Sequence, residues 1–271
     1  ETKKAFTGVV EYELQQPDGK QVAFLNDKIR IKAGKAVTSS DKLLVKDPLL
    51  WSPSSPALYN LLVRIRDEEG NVIDGYRHRI GIRSIEFKGK DGFFLNGRPY
   101  GKPLIGANRH QDFAVVGNAV ANSIHWRDAK KLKDVGMEII RNAHCPQDPA
   151  FMDACDELGL FVIVNTPGWQ FWNDAPEFAQ RVYSDIRNVV RRDRNHVSVF
   201  AWSIGNEVDY PNDPYSHPVL DGMGEGDFAQ PVYGGYKKDA PKAERLGDIA
   251  KRLAAAVKKY DLSRPVTAGL A

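Results

Sequence analysis

The hydrophobic and polar positions of this chain follow two different rhythms. Up to about residue 85, apolar residues recur at every second position in short runs such as TGVVEYEL (7–14), which end at turn sequences such as QPDGK (16–20). A period of two is typical of half-buried antiparallel strands. Several such strands at short spacing predict a β-sandwich over residues 1–85.

Further segments of this part fit the same prediction. The run DKIRIKAG (27–34) alternates and ends on a glycine, and residues 59–87 predict a hairpin about Glu69-Gly70-Asn71 followed by another strand. The segment PLLWSPSSPALY (48–59) is rich in proline and serine, so it predicts a loop that crosses the sandwich.

From residue 86 onwards, short and nearly continuous apolar runs alternate with segments of helical periodicity. The predicted strands are 103–110, 138–144, 160–167, 196–207 and 264–269, and the predicted helices are 123–137, 148–160, 175–195 and 241–260. This alternation indicates parallel strands covered by helices. The first strand leads into GANRHQDF rather than a glycine-rich phosphate loop, which disfavours a nucleotide-binding sheet and favours a (β/α)8 barrel over residues 86–271.

Polar side chains follow four of these strands, and in a barrel the carboxyl ends of the strands carry the chemistry. They run from Asn108 to Asp112, from Arg141 to His144, from Asn165 to Trp169, and through Asn206 and Glu207. Imidazoles, amides and an indole suit the hydroxyl groups and the apolar ring face of a sugar. Glycosidic cleavage also needs two carboxyl groups, of which Glu207 is a candidate for one.

Four of these segments resemble the successive barrel-strand signatures of glycoside hydrolase family 2, which contains β-galactosidases, β-glucuronidases and β-mannosidases. They are GANRHQD (106–112), RNAHCP (141–146), CDELGLFVI (155–163) and WSIGNE (202–207). The segment DPLLWSPSSPALYNLLVRI (47–65) is similar to the immunoglobulin-like domain that precedes the barrel in that family. The resemblance implies an immunoglobulin-like β-sandwich followed by a TIM barrel.

The resemblance also implies residue roles. Glu207 matches the general acid/base of a retaining mechanism, and Asn206 matches the residue that binds the sugar 2-hydroxyl. His110 and His144 match sugar-binding histidines, and Arg141 matches an arginine that orients the nucleophile. From the residues alone, each histidine remains open to a structural role, and Arg141 to a buried ion pair.

Two further residues complete the expected sugar site. Asp112 and Trp169 are candidate substrate-binding residues, although Asp112 alternatively caps a turn and Trp169 alternatively packs under a loop. We also expect the apolar strand and Trp202 to raise the pKa of Glu207 by desolvation. Asn165 stands where many family members place an acidic residue that helps to hold magnesium, so we expect neither a metal nor another cofactor. The run PGWQ (167–170) is similar to one found in some β-galactosidase-like members of the family, and this similarity implies β-galactosides as substrates.

The number of strands limits the prediction. Only five barrel strands are recognisable, whereas the family's nucleophile is a glutamate on the seventh, so we expect an internal fragment of a longer enzyme that carries the acid/base alone. Glu225 and Asp227 lie in a glycine-rich segment (221–236) and alternatively line the cleft or a surface loop. A non-catalytic carbohydrate-binding or scaffold module remains an alternative, as does specificity for β-glucuronides or β-mannosides.

Composition and charge exclude other partners. The 38 basic and 35 acidic residues give a formal net charge of +3, so nucleic acid and membrane surfaces are not expected partners. The two cysteines, Cys145 and Cys155, lack metal-binding spacing. An open sheet edge predicts a homo-oligomer or docking of the missing barrel half. The cellular compartment is left open.

Overall fold

The computed structural model describes residues 4–166, 172, 175–206 and 243–269. Contacts divide the chain into two compact units between Gly101 and Lys102. The first unit therefore extends past residue 85, where the rhythm of the sequence changes.

An antiparallel four-stranded sheet forms most of the first unit. Along β1, Val10 and Leu14 are buried, whereas Glu13 faces the other side and pairs with Arg64 at 2.7 Å. This confirms the predicted alternation. The strands are β1 (Phe6–Gln15), β2 (Gln21–Ile31), β3 (Tyr59–Arg66) and β4 (Val72–Ile80), in the spatial order β2-β1-β3-β4.

The predicted loop 48–59 is anchored by aromatic residues rather than by regular structure. Trp51 and Tyr59 are fully buried, and the backbone N–H of Trp51 donates to the carbonyl of Ile82 at 2.8 Å. The side chain of Asn96 donates to the carbonyl of Trp51 at 3.1 Å. A small antiparallel sheet follows, of which the sequence predicts only the first strand: β5 (Ile85–Phe87), β6 (Phe93–Leu95) and β7 (Arg98–Pro99).

The second unit contains a sheet of five parallel strands, as the sequence predicts. Four described helices alternate with these strands and cover one of its faces. The strands are β8 (Gly106–Arg109), β9 (Ile139–Asn142), β10 (Phe161–Asn165), β11 (Val199–Asn206) and β12 (Val266–Gly269), in the spatial order β12-β11-β10-β9-β8. The helices are α1 (Asn122–Asp134), α2 (Pro149–Leu158), α3 (Pro176–Asp193) and α4 (Ala243–Lys258).

The ends of α2 show how closely local sequence determines this unit. The Asp148 side chain accepts the backbone N–H of Ala150 at 2.8 Å, Pro149 opens the helix, and Gly159 ends it with a φ of 74°. These are the favoured capping arrangements. None of the helices that the structure describes combines the length and apolarity that a bilayer crossing requires.

The buried face of α1 includes an imidazole. Trp126 and Val135 are exposed, whereas His125 and Ala129 are fully buried. Here His125 lies 3.2 Å from a guanidinium nitrogen of Arg109, which gives the buried ring a polar partner.

The core of the second unit lies between the sheet and its helices. Strand β11 is buried along nearly its whole length, in keeping with a parallel strand covered by helices. Each large apolar side chain buried here contributes about 1.5–3 kcal/mol of transfer free energy. The core includes Ile140, Phe151, Met152, Val162, Val164, Ile186, Trp202 and Leu253.

Candidate active site

Two successive residues of strand β11 point to opposite faces of the sheet, one towards the core and one towards a polar group. Trp202 is fully buried in the core, and its Nε1 donates to Asp261 at 2.9 Å. The next residue, Ser203, places its Oγ 3.5 Å from Nη2 of Arg141 on the opposite face. Trp202 therefore belongs to the core, and its expected effect on the pKa of Glu207 stays a prediction because Glu207 lies outside the described residues.

Arg141 connects β9 to β11 across the intervening strand β10. Its Nη1 donates to Oδ1 of Asn206 at 3.1 Å, and its Nη2 donates to the carbonyl of Gly205 at 3.4 Å. An arginine has five donors in a planar fork, so one side chain can hold several acceptors at fixed angles. The guanidinium therefore orients Asn206, the last described residue of β11.

His144 follows β9 and joins the same group. Its Nδ1 lies 3.3 Å from Nη1 of Arg141 and 3.4 Å from Nδ2 of Asn165, which ends β10. Burial, the positive charge of Arg141 and the neighbouring His110 all lower the pKa of His144. The neutral imidazole is therefore favoured near pH 7.

His110, which follows β8, completes the described part of this face. Its ring meets that of His144 edge-on, with the centroids 5.2 Å apart and the planes at 87°. Its Nδ1 is 3.9 Å from Oδ2 of Asp112, and both side chains are more than half exposed. The structure thus places Asp112 beside a predicted sugar-binding histidine.

A glycine on β12 makes room for the central contact. A Cβ atom built at Gly269 would lie 2.9 Å from Nη2 of Arg141 and 3.0 Å from Oδ1 of Asn206. Any larger residue would therefore press against this hydrogen-bonded pair. Neither Gly269 nor Ser203 is predicted from the sequence as a site residue, because small side chains carry no chemical signal of their own.

Other polar residues at the strand ends face the helices instead. Arg109 is buried, donates to Gln147, pairs with Asp128 at 2.9 Å and stacks on Phe151 at 4.2 Å. Asn142 is fully buried, with its Nδ2 3.6 Å from the sulfur of Met152. The polar residues at the strand ends therefore lie on two different faces of the sheet. Only one of these faces carries the candidate site.

Two predicted site residues cannot be placed. Glu207 follows Asn206 directly, and Trp169 follows β10, and both lie outside the described residues. Of the predicted residues that the structure describes, Asn206, Arg141, His144 and His110 form one connected group, and Asp112 stands beside it.

This group does not suit a hard divalent cation. Its centre is the guanidinium of Arg141, and the amide nitrogen of Asn165 points towards His144. Magnesium prefers carboxylate and water oxygens, and a positive charge at the centre opposes its binding. The described residues of this rim therefore do not form a fitting set of magnesium ligands.

Elsewhere, Asp153, Asp156 and His196 bring possible metal-ligating atoms within 4.8 Å of one another. However, Asp156 already accepts the backbone N–H of Ser198 at 2.8 Å and contacts Nδ1 of His196 at 2.7 Å. Burial lowers the pKa of His196, but the hydrogen bond and the charge of Asp156 outweigh it and raise the pKa overall. The arrangement is that of an ion pair that fastens the segment preceding β11 to α2.

Comparison with known proteins agrees with both halves of this architecture. Residues 1–83 match the family described as "Glycosyl hydrolases family 2", and residues 85–269 match "Glycosyl hydrolases family 2, TIM barrel domain". The chain belongs to glycoside hydrolase family 2. The fold is therefore an immunoglobulin-like domain followed by part of a TIM barrel, as predicted.

Relatives in family 2 carry the names of two activities. The β-galactosidase BoGH2A of Bacteroides ovatus is 33% identical over 94% of this chain and 30% of its own length. A β-galactosidase of Thermoanaerobacter pseudethanolicus is 37% identical over 60% of this chain and 22% of its own. The crystal structure of a Bacteroides uniformis β-glucuronidase superposes on this chain with a TM-score of 0.83 and a sequence identity of 29%. The match covers 99% of this chain and 30% of the β-glucuronidase chain. The chain thus spans less than a third of each of these relatives.

Proposed function

We propose that the enzyme containing this chain hydrolyses terminal β-glycosidic bonds with retention of configuration, and that its preferred substrates are β-D-galactosides. Glu207 is the proposed general acid/base, which protonates the leaving oxygen and then activates water. The nucleophile is a second carboxylate, which we do not assign to any residue of this chain. By itself, the 271-residue chain is therefore expected to be inactive.

The observation that carries this proposal is the contact between Arg141 and Asn206. Because Nη1 of Arg141 engages Oδ1 of Asn206 at 3.1 Å, the amide presents Nδ2, a donor, to any ligand. A donor in this position suits a sugar hydroxyl oxygen next to the proposed acid/base. His110, His144, Asp112 and Trp169 are the other proposed sugar contacts.

β-Glucuronides are the second candidate substrates, because the Bacteroides uniformis relative is a β-glucuronidase. The two candidates differ at two positions of the sugar: the C4 hydroxyl is axial in galactosides and equatorial in glucuronides, and C6 is a hydroxymethyl group in galactosides and a carboxylate in glucuronides. A carboxylate would require an additional cation or donor group, since Arg141 is already engaged with Asn206, Ser203 and Gly205.

The test is a panel of aryl β-glycosides with the full-length enzyme. We expect the highest kcat/KM on the β-galactoside, and proton NMR should show that the first-formed sugar is the β-anomer. Preference for the β-glucuronide would replace the proposed substrate but keep the reaction. Binding of sugars without hydrolysis of any glycoside in the panel would favour the carbohydrate-binding alternative.

A further inference from the structure

Two hydrogen-bond donors converge on one nitrogen of His144. Nη1 of Arg141 lies 3.3 Å from Nδ1, and Nδ2 of Asn165 lies 3.4 Å from the same atom. A guanidinium nitrogen can only donate, so Nδ1 of His144 must accept and cannot carry a hydrogen. The neutral ring that satisfies this contact is the Nε2–H tautomer.

The orientation of the Asn165 amide follows from the same argument. Its nitrogen and oxygen are interchangeable by a flip, but an oxygen facing Nδ1 would set two acceptors against each other. With Nδ2 towards His144, the amide adds a second donor and agrees with Arg141. Asn165 is fully buried, and its Oδ1 has no hydrogen-bond partner among the described residues.

We propose that Asn165 is a positioning residue that, together with Arg141, fixes His144 as the Nε2–H tautomer, so that this histidine serves as a hydrogen-bond donor to a sugar hydroxyl. The donor role rests on the proposed function, whereas the tautomer and its control by Asn165 stand on the geometry alone. The identity of residue 165 is then functional: an amide donates to His144, whereas a carboxylate would draw a proton onto Nδ1.

Among the described residues, the charges around His144 favour the neutral ring. Arg141 supplies a positive charge from β9, and His110 faces the ring from the end of β8 with Asp112 behind it. From β10 the nearest group is the neutral Asn165. From β11 the side chains that share Arg141 are the neutral groups of Ser203 and Asn206.

Nitrogen-15 NMR of histidine-labelled protein tests the proposal without substrate. The chain has six histidines, and a His144→Gln variant identifies the resonances of His144. In the wild-type protein near pH 7, we expect a neutral ring protonated on Nε2. A ring protonated on Nδ1, or on both nitrogens, would overturn the proposal without any variant at position 165.

The decisive variant is Asn165→Asp, with Asn195→Asp as the matched control because Asn195 is exposed. A carboxylate next to the imidazole should raise the titration midpoint of His144 by on the order of one pH unit or more. The control should leave the midpoint unchanged. An unchanged midpoint in Asn165→Asp would also overturn the proposal.

Activity then separates this proposal from the proposed function. In the full-length enzyme, Asn165→Asp should move the acidic limb of the kcat/KM profile to higher pH, in step with the titration of His144. If the expected tautomer and midpoint shift are found but the enzyme cleaves no β-glycoside, the proposed function fails and the positioning role of Asn165 stands. A midpoint shift that leaves the profile of an active enzyme unmoved would overturn the donor role.

Discussion

Nη1 of Arg141 lies 3.1 Å from Oδ1 of Asn206, although the strands that carry these residues are separated in the sheet by β10. The guanidinium thus fixes an amide at the end of β11, immediately before the proposed acid/base.

Replacing Arg141 by lysine should remove this orientation. An ammonium group keeps the charge, but it cannot reach Asn206, Ser203 and Gly205 in one plane. We expect kcat/KM of the full-length enzyme to fall by about 10²-fold, consistent with the cost of misplacing a catalytic group by about 1 Å. Arg187→Lys on the exposed face of α3 should retain full activity. Equal activity of the two variants would contradict the role of Arg141.

Gly269→Ala tests the steric side of the same contact. The new methyl group would meet the flexible end of Arg141 at 2.9 Å, so the side chain should yield with little loss of stability while the contact with Asn206 is displaced. We expect a loss of about tenfold or more in kcat/KM with less than about 1 kcal/mol of destabilisation.

The matched control for that variant is Gly247→Ala in α4, where no atom lies within 4 Å of the added methyl group. Alanine is favoured over glycine in a helix, so this variant should be stabilised by about 0.5–1 kcal/mol and keep its activity. Urea unfolding and steady-state kinetics on both variants measure the contrast. If kcat/KM falls in both variants, or in neither, the result would contradict the role assigned to Gly269 at the site.

The sequence predicted the antiparallel strands of the first unit and the alternation of strands and helices in the second, because burial on one face leaves a period of two or of 3.6 in the pattern. It could not tell which strand-end residues face the barrel interior. Arg109 and Arg141 are both arginines near the ends of apolar strands, yet one lies among the helices and the other crosses β10 to reach Ser203. The contribution of Gly269 depends on a contact between strands that are distant in sequence, so no local pattern reveals it.

The ion pair between Asp156 and His196 should make stability depend on pH. The pKa of His196 is raised from its ordinary value of 6.5 in the folded state, so the charged ring stabilises the fold fully below about pH 6.5. This contribution is lost as the pH rises through the folded-state pKa. The difference in unfolding free energy between wild type and Asp156→Asn should therefore be larger at pH 6 than at pH 9.

At pH 6 we expect this variant to lose about 3 kcal/mol, since it leaves a buried charge without its partner. Asp185→Asn, at an exposed position of α3, should change the unfolding free energy by less than about 0.5 kcal/mol at either pH. Urea denaturation followed by circular dichroism measures both. A loss that grows towards pH 9 would contradict the assigned charge states.

The central claim is that Glu207 is the acid/base of a retaining glycosidase, and chemical rescue of Glu207→Ala in the full-length enzyme tests it most directly. On aryl galactosides with good leaving groups, the glycosyl-enzyme should form without acid assistance and accumulate. Azide should then restore turnover and yield the β-glycosyl azide, because a small anion can attack where the missing base would have activated water. We predict a rate that rises with azide concentration and a product of retained configuration. Equal loss of activity on substrates with good and poor leaving groups, with no azide product, would contradict the claim.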